Sequence, residues 1–176
     1  MLPLIIDENN KILENRKKLF KILGKPVNSM GEKRWLKRRF EDYQIKNEDI
    51  AELKLRMDII PVSLAIAQAA KESGWGTSRF ARQGNALFGQ WAWQASQGIK
   101  PAQASNSRAV VRSFPNLFGS VRAYMHNLNT HSSYASFRER RKIMRGRPRA
   151  DLGFQLASHL DSYAEIGTAY VEKLRT

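Results

Sequence analysis

Ile60-Pro-Val-Ser-Leu-Ala-Ile-Ala-Gln-Ala-Ala-Lys-Glu-Ser-Gly-Trp-Gly76 is the stretch on which the reading of this chain turns. Pro61 suits the first turn of a helix, where its missing N–H costs nothing. Val62, Leu64, Ala65, Ile66, Ala67, Ala69 and Ala70 leave no polar face, so the segment is predicted to be a helix buried on all sides. Its small residues let neighbouring helices approach closely. Gly74 and Gly76 stop it, and the last turn carries one carboxylate, Glu72.

That acid stands alone. The 66 residues from Ser73 to Arg138 hold no Asp or Glu and seven Arg or Lys, although the chain has 16 acids among its 176 residues. An apolar helix solvates the Glu72 carboxylate poorly, and the negative end of the helix dipole lies close by. Both effects disfavour the ionised form, while Arg79 and Arg82 would favour it. A carboxylic acid kept protonated in an aromatic cleft is suited to protonating a glycosidic oxygen. Trp75, Phe88, Trp91 and Trp93 are candidate walls, since sugar faces pack on flat rings. The residues alone leave a second reading open, a solvated acid at a helix end.

Outward from this segment the chain reads mainly as helix. Glu8 to Leu23 sets Ile12, Leu19 and Leu23 on one face, and Gly24 with Pro26 stops it. Ser29 with Glu32 forms a capping box before a helix carrying Trp35, Leu36, Phe40 and Tyr43. Asn47 is the expected cap of a short helix running to about Arg56. Residues 1–55 are thus predicted to be a helical arm wrapped on the core, which residues 56–176 supply. Thr77 is placed as cap of a turn over 78–83. Between 87 and 114 the pattern changes. Leu87-Phe-Gly-Gln-Trp-Ala-Trp93 alternates, and Arg108-Ala-Val-Val-Arg-Ser-Phe114 is β-prone, which predicts a small hairpin lobe. Helices then resume, with Leu117, Val121, Tyr124 and Leu128 sharing one face. A basic helix spans Tyr134 to Arg145. Leu152, Leu156, Leu160 and Tyr163 share another face, and Thr168 caps a last short helix. The expected fold class is mainly α, of α+β type, a helical bundle with a small β-lobe.

Composition narrows the partner. The net charge of +14 points to an anionic one: nucleic acid, anionic lipid or a bacterial wall polymer. Basic residues gather at Lys33, Arg34, Lys37, Arg38 and Arg39, and again from Arg138 to Arg149. Each cluster reads equally as a solvated helix face. There is no cysteine, which excludes disulfides and thiolate metal sites. His126, His131 and His159 lack metal-ligand spacing with acids, so neither a metal nor a cofactor is expected. No apolar run is long enough to span a bilayer. Met1-Leu-Pro-Leu-Ile-Ile-Asp7 is too short and too soon acidic for a secretory signal, so either the protein stays inside or a leader is missing from this sequence.

Ala67-Gln-Ala-Ala-Lys-Glu-Ser-Gly-Trp-Gly-Thr-Ser-Arg-Phe-Ala-Arg-Gln-Gly-Asn-Ala-Leu-Phe-Gly89 resembles the signature of the bacterial glucosaminidase domain, the lysozyme-like glycoside hydrolase family 73. More narrowly it is similar to the Bax-type, flagellar-J-related branch. Ser120-Val-Arg-Ala-Tyr-Met-His-Asn-Leu-Asn-Thr-His131 and Tyr163-Ala-Glu-Ile-Gly-Thr-Ala-Tyr-Val-Glu-Lys-Leu174 carry the rest of that likeness. It covers roughly residues 55–176, and more weakly the arm. The resemblance implies a peptidoglycan hydrolase of the periplasm or cell envelope, with residues 56–176 as its catalytic unit and the β-lobe beside a groove. It sets the family's acid on Glu72 and its aromatic on Tyr163, to orient the substrate N-acetyl group or a water. It gives Asn85, Leu87, Phe88 and Gly89 a groove-shaping role. With Trp75, Trp91, Tyr124 and Glu165 these make the expected substrate contacts, while Tyr170 reads as packing.

The chain departs from the family's pattern where a second carboxylate is usual. The β-lobe, Ser105 to Phe114, offers none, and Gly119 stands where relatives often carry Glu. Three routes remain: the substrate's N-acetyl group as nucleophile, a lytic transglycosylase reaction through one Glu, or a distant acid such as Glu165. Single-acid chemistry is the expectation. Outside catalysis, the charge alone would suit a basic module binding wall polymer or nucleic acid. The interleaved aromatic and basic strands of a single-strand binder are absent, which argues against nucleic acid.

Overall fold

The computed structural model describes residues 1–102, 109–146 and 152–160. Its first helix, α1 (Leu2–Leu23), begins six residues earlier than periodicity suggests. Pro3 fits the first turn, and Ile5, fully buried, extends the inward stripe through Ile12, Leu19 and Ile22. Two polar residues share that stripe because both bond to backbone. The Asn9 side chain donates to the Ile60 carbonyl at 2.8 Å and accepts from the Ile60 amide at 3.0 Å. The Arg16 guanidinium donates to the Lys54 and Met57 carbonyls at 2.5 and 2.7 Å. Buried polar atoms are tolerated when satisfied in this way.

Helix α2 (Met30–Asp42) opens on the expected capping box, with Glu32 N to Ser29 Oγ at 3.3 Å and Ser29 N to Glu32 Oε2 at 2.8 Å. Helix α3 (Ile50–Arg56) is capped by Asp49 rather than Asn47, because the Asp49 carboxylate accepts the amides of Ala51 and Glu52.

Helix α4 (Val62–Ser73) is the central element. Leu64, Ala65, Gln68, Ala69 and Ser73 are buried, but Val62, Ile66, Ala67 and Ala70 are only partly covered and Ser63 is exposed. It is therefore inward on one broad side, not all round. Close approach does occur. A Cβ on Gly153 of α8 (Leu152–Ala157) would stand 2.2 Å from Ser63 Oγ and 3.1 Å from Leu64 N, so glycine allows these helices to cross this closely without displacing Ser63. Helix α5 (Arg79–Gly84) takes Ser78 as its cap, one residue later than Thr77, whose hydroxyl donates back to the Gly74 carbonyl.

The lobe is a three-stranded antiparallel sheet rather than a plain hairpin. Strands β1 (Trp91–Ala92) and β2 (Gly98–Ile99) both pair with β3 (Val110–Arg112), giving the order β1-β3-β2. Trp91 faces Val111 and Gly98 faces Arg112. Gly98 is required there, since a Cβ would lie 2.1 Å from the Val111 carbonyl oxygen.

Helices α6 (Leu117–Thr130) and α7 (Ala135–Met144) close the core. The basic α7 is not simply a solvated face, because Arg138 and Arg141 are buried. Arg141 donates to the carbonyls of Leu55 and Ile59 and to Asn129 Oδ1, and Arg138 donates to the Leu128 and His131 carbonyls. Asp58 receives Arg145 and lies beside Arg141. Arg141 thus serves carbonyls at and after the end of α3 and Arg138 those at the end of α6, so part of the positive charge is structural. Ile5, Ile12, Leu19 and Phe40 from α1 and α2 join Leu64, Phe88, Tyr124 and Phe137 in one core cluster. Among the described residues, no helix is long and apolar enough to cross a membrane.

Candidate active site

Glu72 sits two residues before a sharp reversal. Gly74, Trp75 and Gly76 follow with φ of 56°, 57° and 79°, three consecutive left-handed residues. The turn is held by Trp75 N to the Ala70 carbonyl at 2.7 Å and by Gly76 N to Ser73 Oγ at 2.8 Å. Ser73 Oγ in turn donates to the Ala69 carbonyl at 2.6 Å. A non-glycine residue at such φ is strained, and here it is a tryptophan that stands 86% exposed.

The chain then returns through α5 and lays Asn85 to Gly89 against the same acid. Asn85, at φ 51°, donates from Nδ2 to the Phe114 carbonyl at 3.0 Å, which ties the end of α5 to the end of β3. The Leu87 amide donates to the buried Ser120 hydroxyl at 3.1 Å, fixing the segment on the first turn of α6. The Phe88 ring stacks on Tyr124, with centroids 3.9 Å apart and planes 7° from parallel. Tyr124 donates its hydroxyl to Gln68 Oε1 at 2.7 Å in the middle of α4. Gly89, at φ 59°, then faces the acid: a Cβ there would be 3.1 Å from Glu72 Oε2.

Glu72 is half-buried and lines a groove of about 1260 Å³ with Phe88, Gly89, Gln90, Trp91 and Trp93. From there the groove follows α6, whose Gly119, Arg122, Ala123, His126, Asn127 and Thr130 all line it. Those positions recur at helical spacing on one face, while Val121, Tyr124 and Leu128 turn into the core. The opposite wall belongs to the arm. Glu8, Lys11, Ile12 and Asn15 line the groove from one stripe of α1, and Arg39, Asp42, Tyr43 and Gln44 from the end of α2. His126 Nε2 is 2.7 Å from the Asp42 carbonyl oxygen, which fastens that wall to α6. Burial pushes the Tyr43 hydroxyl up to about 12, so it stays a neutral donor at any working pH.

The predicted site residues therefore separate. Glu72, Phe88 and Trp91 line the groove. Trp75 projects outside its lining, and Asn85 shapes the wall by bonding backbone. Tyr124 does not reach the groove surface; it is fully buried beneath Phe88, committed to Gln68 and to the stacked ring. Tyr163, Glu165 and Tyr170 lie outside the described residues. Arg79, whose distance from the acid the sequence leaves open, donates to the Lys100 carbonyl at 2.6 Å. Sequence reasoning missed two groove carboxylates, Glu8 and Asp42, because both come from the arm. Asp42 pairs with Arg39 at 2.6 Å.

Gly119 explains part of the departure from the family's pattern. Asn116 caps α6, and its side chain accepts the Gly119 amide at 2.8 Å. Position 119 is thus the third residue of the helix, where a Glu would reach back to the cap amide as in a capping box. Its absence removes a capping partner as well as a groove acid.

Residues 47–175 match the family "Glucosaminidase: Mannosyl-glycoprotein endo-beta-N-acetylglucosaminidase". The chain belongs to the glucosaminidase family, whose activity is that of a peptidoglycan-related glycosidase. It is 36% identical over 115 residues to the protein named "Protein bax" of Escherichia coli (strain K12); the match covers 65% of this chain and 40% of that relative. No solved structure matches it.

Proposed function

We propose that this protein is a peptidoglycan hydrolase that cleaves β-1,4 bonds of the glycan strand in the manner of an N-acetylglucosaminidase, with Glu72 as the general acid. The supporting observation is the seat of Glu72: half-buried in a long groove, with the backbone of Gly89 against its carboxylate and Trp91 and Trp93 beside it. The protonated acid gives its proton to the glycosidic oxygen as the C1–O bond breaks. The acetamido carbonyl oxygen of the same sugar takes the developing positive charge at C1, and water then opens the cyclic intermediate. This route needs one enzyme acid, in keeping with a lobe that has none. Tyr163 orients the acetamido group. Trp75 and Trp91 offer ring faces to neighbouring sugars, Asn85 and Phe88 shape the floor, and Glu165 is assigned a substrate-binding role. Residues 56–176 form the catalytic unit and residues 1–55 an arm upon it. The working compartment is the periplasm or cell envelope, where the substrate is.

Glu72→Gln should cut release of soluble fragments from purified walls by about 10²- to 10⁴-fold, with the far-ultraviolet helical signal unchanged. Wall clearing at the parent rate would end the proposal. Mass analysis of the products fixes the bond: a reducing N-acetylglucosamine end is expected. An anhydro-muramic end would make the enzyme a transglycosylase using the same acid.

A further inference from the structure

The groove has a wall that the family match does not include, since the match begins at residue 47 and α1 and α2 precede it. That wall brings charge. Lys11 Nζ sits 4.2 Å above the ring of Phe118 on α6, and Phe118 and Arg122 are four residues apart on the same helix face. Lys11 and Arg122 thus line the same groove from facing elements, Lys11 over Phe118 and Arg122 one helical turn further along α6. Neither is neutralised within the groove. Arg122 is exposed and makes no hydrogen bond or ion pair among the described residues. Lys11 has only a 3.4 Å surface pair with Asp7 on its own helix, an interaction worth little. Arg39, by contrast, is held by Asp42. Glu8, one turn before Lys11 on α1, also lines the groove and makes no ion pair among the described residues. Like charges brought together without an anion repel, and a ligand anion placed between them relieves that repulsion.

We infer that Lys11 and Arg122 form an anion subsite for the free carboxylates of the lactyl-peptide stems that a wall glycan carries, so that the arm selects stem-bearing strands over bare ones. This rests on the glycan reading of the groove. A carboxylate suits the site because an arginine fork donates to its two oxygens at once while an ammonium supplies a point charge.

The test uses the full chain carrying Glu72→Gln, titrated with a soluble stem-bearing muropeptide oligomer in free-acid form and with its carboxamide counterpart. The free acid should bind about tenfold more tightly than the amide, and the difference should shrink as salt is raised. Adding Lys11→Gln and Arg122→Gln should bring the two forms within about twofold of each other, whereas Arg122→Lys, which keeps the charge and loses the fork, should retain only part of the preference. Equal affinity for acid and amide, a preference that survives both glutamines, or no binding of either form overturns the subsite. Tighter binding of a glycerol-phosphate polymer at equal charge overturns the carboxylate assignment. Wall clearing by the unsubstituted protein reports separately on the hydrolase: clearing without acid preference defeats only the subsite, and acid preference without clearing defeats only the hydrolase.

Discussion

Replacing Gly89 by alanine tests whether the groove backbone sets the position of the acid. Two costs are readable from the structure. At φ 59° any L-residue other than glycine is disfavoured by about 1–2 kcal/mol. In a protein of this length that lowers the melting temperature by roughly 2–8 °C. The new methyl would also stand 3.1 Å from Glu72 Oε2, so the carboxylate must retreat by a few tenths of an ångström. Misplacing a reacting group by about 1 Å costs on the order of a hundredfold in rate, so a shift of this size predicts a three- to tenfold loss, roughly, in turnover. KM should hardly move, because the sugar-facing rings stay in place. Gly146→Ala is the control: its φ of 92° is at least as unfavourable, but a Cβ there meets nothing within 4 Å. Dye release from labelled walls, measured well below both melting temperatures, compares them. If Gly89→Ala and Gly146→Ala lose activity equally, or neither does, the Gly89–Glu72 contact has no part in turnover.

Three further outcomes are expected. Gly119→Glu should raise stability by about 1 kcal/mol, from a better helix residue and a capping acid, with turnover changed less than tenfold; a stable variant with a much larger rate gain would make position 119 the site of a missing second acid. Trp75→Gly should raise the melting temperature, since about 1 kcal/mol of left-handed strain is relieved at an exposed side chain, while weakening pelleting with insoluble walls. Unaltered pelleting would remove Trp75 from the substrate platform. Glu32 is held down to about 2, first by Lys25 and then by the Ser29 amide. Its lowered value in the folded state means the capping contribution is complete above about pH 4.5 and fades as the pH falls toward 2. Glu32→Gln should therefore flatten that part of the acid stability curve.

Much of this architecture is written locally. The α4 run, its stop at Gly74 and the Ser29–Glu32 box each depend on neighbours within about one turn, and each appears where the residues place it. The acid's neighbourhood was legible for the same reason, since Glu72, Phe88 and Gly89 lie in one short stretch. What periodicity could not supply is contact across the fold. Asn9 and Arg16 look like polar breaks in the stripe of α1 until their carbonyl partners, 38 to 51 residues away, are known. Arg138 and Arg141 read as surface charge because nothing nearby in the sequence marks the carbonyls they serve. Tyr124 reads as a groove aromatic because the hydroxyl partner, Gln68, is 56 residues distant. The arm's share of the groove was invisible for the same cause: Glu8, Lys11 and Asp42 meet α6 only in three dimensions.

The paired bonds between Asn9 and Ile60 have a practical consequence. They saturate both main-chain groups of the residue that leads into the central helix, and they do so from outside the region that sequence comparison delimits. A gene trimmed to that region would leave those two groups stranded in an apolar setting and strip Ile5, Ile12 and Leu19 from their packing partners. The border drawn by homology and the border at which the polypeptide can fold by itself are thus different places, and expression of a shortened version should yield aggregate where the longer one yields a cooperative unfolding transition.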